Sequence, residues 1–306
     1  MLVDKILGRY DERYFGNGHK QTTYSDIFDF KEDEAGYLGY IALTQKLGWS
    51  KKKNIALTPH LSSLDGIILA IGIVEKYLEI VNSPHPIASL FIDSFEIKAG
   101  ATPIEDLTHI PIRLKTISED QNRYLAKVTI LGMKISLSLT AYDTTPSSLN
   151  SVGSINYTAN HLKNSTHDLV NIDLLSEKYA ICDVVREVIH DASYQGLASD
   201  HSHTISILEW LIIVSQFAQV MAYNFDDIDR CDSDTLWMRT IKAKIKKPFQ
   251  DVTPIMLMGE IVKSTSLKRG ADEWRILELQ GGTIDEDVMF SGNIAHKIPK
   301  ERGDNR

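Results

Sequence analysis

Cysteine is nearly absent. Cys182 and Cys231 are the only two, too few and too far apart for a disulfide framework or a zinc cluster. No run of about 18 or more uncharged apolar residues is present to cross a bilayer as a helix. The first residues, MLVDKILGRYDERYF, mix acids with bases and lack the basic, apolar, small-residue order of a secretory signal. Basic residues are in deficit, 33 Lys and Arg against 41 Asp and Glu, for a formal net charge of −8. A duplex binder needs a strong basic surface, so no nucleic-acid partner is expected. A glycine-rich phosphate loop, a GxSxG elbow and a Walker pattern are also missing, which argues against an ATP-driven ligase or a nucleophile-elbow hydrolase. What remains is 306 residues, 43% hydrophobic and 24% charged, enough to bury one large core or two ordinary ones. The expectation is a soluble, cytoplasmic protein with no membrane partner.

Residues 61–80, LSSLDGIILAIGIVEKYLEI, are too long for a strand and apolar nearly all round the helical wheel, so they predict a helix wrapped by other structure. Ser62 with Asp65 three residues on has the pattern of a capping box. Residues 205–223, ISILEWLIIVSQFAQVMAY, predict a second such helix, and Ser206 with Glu209 repeats the capping pair at a constant offset of 144 residues. After the first helix, period-two alternation predicts strands at 95–98, 110–115, 124–130 and 133–141, with Gly132 at a bulge or turn. After the second, strands are expected from Trp237 to Lys246 and over 254–262 and 273–280, with a hairpin turn at Gly281-Gly282 leading into 283–298. Asp26 to Glu34 holds five acids and one lysine, the mark of a solvated loop or strand end. Asp143 to Ser154, dense in Ser, Thr, Pro and Gly, reads as a linker. The fold expected is α+β in two copies, units 1–148 and 149–306. A sheet around one long buried helix is the plan of the hot-dog fold, and two copies make a tandem, pseudo-dimeric hot-dog with curled antiparallel sheets.

Three strings resemble the avirulence D (AvrD) family: RYFGNGHK (Arg13 to Lys20), TPHLSSLDGIILA (Thr58 to Ala70) and YNFDDIDRCDSDTLWMR (Tyr223 to Arg239). AvrD proteins direct synthesis of acylated sugar lactones, the syringolide elicitors. The family is distantly similar to the A-factor-type γ-butyrolactone synthases, which have tandem hot-dog units. Those join a β-ketoacyl group, carried as a thioester on acyl carrier protein, to the hydroxyl of a small polyol phosphate. The resemblance therefore implies an acyltransferase taking its donor from acyl carrier protein or acyl-CoA, on phosphopantetheine, and passing it to a sugar-like alcohol. No other cofactor is implied. A further homodimer is compatible with it.

Candidate catalytic residues follow from position and chemistry. His60, beside Pro59 at the start of the first helix, is a candidate general base. Asp65 and Glu209 can each serve simply as capping residues; as catalytic groups they would act with His60, and Glu209 from one half is expected to share a pocket with His60 from the other. Gln216 and Gln219 are polar positions on an apolar helix, and a buried amide must find partners; Gln216 is a candidate for the acyl carbonyl or for a backbone group. Arg230 and Arg239 are candidates for phosphate or carboxylate, with Arg230 among five aspartates also suited to a surface ion-pair web. Arg239 shares strand phase with Trp237 and Ile241, which predicts an inward face. No metal site is expected: the aspartates at 226–234 lack the central glycine and closing glutamate of an EF-hand, and His201 with His203 lacks a third ligand. Lys242, Lys244, Lys246 and Lys247 form a basic stripe that fits either a carrier-protein dock or protection of an edge strand. Rival expectations are a dehydratase or thioesterase on acyl thioesters, and a non-catalytic acyl- or lactone-binding protein.

Overall fold

The computed structural model describes residues 2–46, 49–52, 55–142, 155–190, 192–233, 236–248, 254–270 and 272–299. The expected linker 143–154, with the boundary at 148, lies outside the described residues. Two long helices stand where the apolar runs predict them, α1 at Ser63–Ile80 and α2 at Ile207–Phe225. Both capping boxes form. Ser62 Oγ accepts the Asp65 N–H at 3.0 Å while the Asp65 carboxylate accepts the Ser62 N–H at 3.1 Å; the Ser206 and Glu209 distances are 3.1 and 2.7 Å. Each cap contributes about 0.5–2 kcal/mol to its helix, and fixes where the helix starts.

Twelve strands form one sheet: β1 (Phe28–Asp33), β2 (Gly36–Ile41), β3 (Leu90–Lys98), β4 (Ile110–Asp120), β5 (Arg123–Ile130), β6 (Met133–Ala141), β7 (Ser165–Leu174), β8 (Tyr179–Val188), β9 (Trp237–Ile245), β10 (Ile255–Arg269), β11 (Asp272–Thr283) and β12 (Val288–Lys297). Their spatial order is β7-β8-β10-β11-β12-β9-β3-β6-β5-β4-β2-β1. Read outward from the middle, β3-β6-β5-β4-β2-β1 matches β9-β12-β11-β10-β8-β7 member for member. Each half runs two strands, a helix, then four strands. The halves join through antiparallel β3 and β9, with Ile97 opposite Ile241 and Phe95 opposite Ala243. Helix α1 packs on β2, β4, β5 and β6, while α2 packs on β7 to β10 and on β3, and the helices touch each other. The class is α+β. Among the described residues, no helix is long and apolar enough to cross a membrane.

Three expectations about strands are corrected. Gly281 and Gly282 lie inside β11, and the turn follows at 284–287. A Cβ on Gly281 would stand 2.2 Å from the Met258 carbonyl oxygen and 2.6 Å from the Phe290 ring, so this glycine serves packing. Strand β9, which holds Lys242 and Lys244, is central and paired on both sides, so edge protection does not explain those two; Lys242 instead reaches Glu96 at 3.2 Å. The register of β9 on β12 slips between Met238 and Thr240. That bulge breaks the alternation at Arg239, which is exposed instead of inward. The acid-rich segment near residue 30 is β1, an edge strand with an almost wholly exposed pattern.

Candidate active site at the junction of the two halves

A cavity of about 680 Å³ opens between the start of α1, the middle of α2 and the β9 region. The N-terminal segment builds one wall. Gly18 approaches Trp49 so closely that a Cβ would meet the Trp49 carbonyl oxygen at 1.8 Å, and the His19 ring N–H reaches back to the Tyr14 carbonyl (3.0 Å). This close packing sets Arg13, Tyr14, Phe15 and Trp49 on the cavity wall. Trp49 stands edge-on to Tyr14 at 4.6 Å and to His60 at 5.3 Å, and Trp237 lies 5.7 Å beyond His60. Leu61, Ile104, Met133, Met238, Ile276 and Ile294 supply apolar wall.

Four of the six candidate residues line this cavity: His60, Gln216, Arg230 and Arg239. His60 is half-buried and its Nδ1 lies 3.2 Å from the Thr58 carbonyl oxygen. A carbonyl can only accept, so Nδ1 is the donor in this contact, and in the neutral ring Nε2 is the nitrogen without a proton. Gln216 is 1% exposed and both ends of its amide are occupied. Its Oε1 accepts from Arg13 Nη1 at 2.5 Å and its Nε2 reaches the His167 carbonyl at 3.4 Å. Gln216 is therefore not free for a substrate carbonyl; it holds Arg13. One turn on, Gln219 also lines the cavity and is half-buried. Arg230 donates to the Lys51 carbonyl at 3.2 Å, and among the described residues it makes no ion pair, contrary to the expected web with its neighbouring aspartates. Of those, Asp226 is engaged by Arg275 and His296, both at 2.8 Å. Arg239 donates to the Gly100 carbonyl at 3.0 Å.

Asp65 and Glu209 are not on the wall. Asp65 is fully buried and accepts from Tyr24 (2.6 Å), Ser62 Oγ (2.7 Å), the Ser62 N–H, Tyr14 (3.2 Å) and Gln45 (3.3 Å). Burial pushes its pKa up, against the downward pull of those donors. It touches the cavity only through Ser62 and Tyr14, which line it. Glu209 is fully buried beneath β7 and β8, where its Oε1 meets Arg186 Nε at 2.7 Å, His167 Nε2 at 3.0 Å and Ser165 Oγ at 3.1 Å. Burial pushes its pKa up, but the hydrogen bond and charge of His167, with His161 and Arg186, prevail and hold it well below the usual carboxylate range. The expected pairing of His60 with Glu209 in one pocket does not form.

Residues that sequence reasoning passed over are Arg13, buried at 2% exposure, and Trp49, Lys52 and Ser215 on the same wall. Arg13 reaches Gln216 across 203 residues of sequence; its one local signal is its place at the head of the RYFGNGHK string.

Among solved structures the chain is similar to a tesB protein of Mycobacterium avium subs paratuberculosis (7% identity, 89% of this chain and 96% of that one, TM-score 0.45). It is also similar to the acyl-CoA thioesterase II TesB2 of Mycobacterium marinum (8%, 89% and 97%, TM-score 0.44) and to the dehydratase domain of a mycocerosic acid synthase-like polyketide synthase (9%, 91% and 95%, TM-score 0.36). No curated protein matches the sequence. The profile of the Pseudomonas avirulence D protein (AvrD) matches residues 1–140 and 141–299, and with nearly the whole length covered the chain belongs to the AvrD family.

Proposed function

We propose that the protein is an acyltransferase that moves a β-ketoacyl group from a phosphopantetheine thioester, on acyl carrier protein or CoA, to a sugar-like alcohol. The observation that carries this reading is His60: its Nδ1–H is held by Thr58, which leaves Nε2 as a base on the wall of a largely apolar cavity. In the step, Nε2 takes the proton of the acceptor hydroxyl as its oxygen forms a bond to the thioester carbon. The C–S bond then breaks, and the departing thiolate takes the proton back from the imidazolium. Atoms balance without a metal or a redox partner. Gln219 is the amide placed to hold the acyl carbonyl, and the apolar wall takes the chain. Asp65 acts at one remove, by fixing Ser62 and Tyr14. We read the duplicated strand order as a tandem hot-dog, with one unit to each side of the β3–β9 junction.

The test is mass spectrometry of the protein with β-ketoacyl carrier protein and a panel of polyols, beside His60→Ala. An acyl ester formed by wild type and reduced about 10²–10⁴-fold in the variant is expected for loss of a general base. Acyl released only as free acid would replace the transferase by a thioesterase. An ester formed equally fast by the variant would remove His60 from the chemistry.

A further inference from the structure

The face of the sheet opposite the helices carries a second concavity, of about 880 Å³, that crosses from β5 to β8. No residue of α1 or α2 lines it, and it shares no residue with the His60 cavity. Antiparallel sheets commonly leave one face to water, and single exposed apolar residues there are ordinary. Here three large ones share a row. Leu125 is 50% exposed, Met258 49% and Met289 48%. Strand pairing runs from Leu125 through Ser138 to Ser94 on one side of the β3–β9 junction, and from Lys244 through Met289 to Gly282 on the other. Leu125 and Gly282 thus stand on the third strand out on opposite sides, β5 and β11. Gly282 is buried, with Met258 opposite it on β10 and Met289 on β12. It floors a hole between two exposed methionine side chains.

The neighbouring rows carry charge in a matching order. Lys127, Ser136 and Glu96 run inward to the junction on one side. Lys242, Ser291 and Gln280 run outward on the other, with Glu260 beyond. In the row after, Lys134 lies on the first side and Glu278 on the second. A half-turn about an axis along the strands at the junction keeps each row and exchanges the sides. It sets Leu125 on the partner's Gly282, Glu96 on the partner's Lys242, and Lys127 and Lys134 one place from the partner's Glu260 and the partner's Glu278. At the rim Arg113 falls on the partner's Lys263, and Arg113 is already paired with Asp33. A half-turn about an axis across the strands instead lays Lys127 on the partner's Lys127 and leaves both holes unfilled. Of the two, the first is self-complementary in shape and in sign, which is what a two-fold interface requires.

We propose that this outer face binds a second copy of the chain, two sheets packed face to face about an axis along β3 and β9. Leu125 of each subunit seats between Met258 and Met289 of the other. Sheets packed face to face lie about 10 Å apart, close enough for facing side chains to interdigitate. Because the face is separate from the His60 cavity, the interface does not rest on the acyl-transfer reading.

Sedimentation velocity of the intact protein over about 1–100 μM tests the interface. A species of twice the chain mass is expected. Leu125→Lys puts a charge into the hole and Met258→Glu puts one on its wall, and each should weaken dimerisation about tenfold or more. Both positions are half-exposed, so both variants should keep the wild-type circular dichroism spectrum. An equal mixture of the two should dimerise nearly as wild type does. In the mixed pair the introduced lysine meets the introduced glutamate, and the other Leu125–Met258 contact is native. Wild-type protein that stays at the chain mass at about 100 μM would overturn the proposal. A dimer that neither variant weakens would overturn it too, because it would use another face. Variants that weaken the dimer and fail to restore it when mixed would show that Leu125 does not meet Met258, and would overturn the two-fold arrangement.

Discussion

Replacing Glu209 by Gln separates a structural carboxylate from a catalytic one. The wild-type Oε1 receives Arg186, His167 and Ser165, and Oε2 receives the Ser206 N–H. Glutamine keeps the size but turns one acceptor into a donor, so its NH₂ must face either the Ser206 N–H or the Arg186 guanidinium. The Arg186 side chain is 6% exposed and would lose its ion pair with Glu209. Breaking a buried ion pair from one side costs about 3–5 kcal/mol. For a chain of this size that is a fall in Tm of about 6–15 °C, at about 2–3 °C per kcal/mol. Because the Glu209 pKa is held below its unfolded value, its contribution is fully present above about pH 4.3 and is lost as pH falls through the folded pKa. The gap between wild type and variant should therefore be level from about pH 5 to 8 and narrow in stronger acid. Thermal unfolding across pH, with turnover per folded molecule measured beside it, checks both parts. An unchanged Tm with turnover abolished would refute the structural assignment and return Glu209 to the chemistry.

Two further outcomes follow from the packing. Burial holds the pKa of His19 down, to about 3, and lowers those of His161 and His201. A group of this kind gives stability that is complete above its unfolded pKa near 6.5 and is lost as pH falls toward the folded value, by up to about 1.4 kcal/mol per pH unit. His19→Gln should accordingly lose less stability than wild type between pH 6.5 and 4.5 in denaturant titrations; parallel curves would contradict this. Gly18→Ala places a methyl where the Trp49 carbonyl oxygen stands 1.8 Å away, a clash with backbone that cannot yield cheaply. Overpacking of this sort costs about 1–3 kcal/mol, and the shift should quench or move Trp49 fluorescence in a Trp49-only background; wild-type Tm and emission would show that the close approach is dispensable.

The duplicated plan was legible because both helices carry their own start signal. A hydroxyl at the cap and an acid three residues on cannot be mistaken when the same pair recurs 144 residues later, and both boxes are formed. Strands with one buried face were legible from alternation. Where a second influence cut in, the reading failed. The bulge at Arg239 breaks the phase, and the glycines of β11 make room for Phe290 instead of turning the chain. Strands β7 and β8 escaped notice although Thr166, Asp168 and Val170 alternate with buried His167 and Leu169. The wall of the candidate cavity was partly legible, since His60, Gln216, Arg230 and Arg239, which line it, sit at a helix start, on an apolar helix or near a strand end. Arg13 was not: it lies in an irregular segment without periodicity, and its partner is 203 residues away.

Duplication also explains why the cavity is lopsided. At the offset of 144 residues His60 corresponds to Thr204, Gln216 to Gly72 and Gln219 to Glu75. The second corner therefore lacks the histidine, lacks the amide that would hold an arginine, and carries an acid where the first has a neutral side chain. Glu75 is 7% exposed and accepts from the Leu197 N–H and from Asn156 Nδ2, each at 3.2 Å. Thr204 turns its hydroxyl to the His201 carbonyl at 2.8 Å. Glu75 and Thr204 are thus engaged by the segment between β8 and α2 and by Asn156, which precedes β7. The corresponding wall in the first half carries Arg13, Tyr14 and Phe15 of the RYFGNGHK segment. The two corners of the duplicated plan thus differ: one engages its polar groups within the chain, and the other lines the cavity with His60, Arg13 and Gln216.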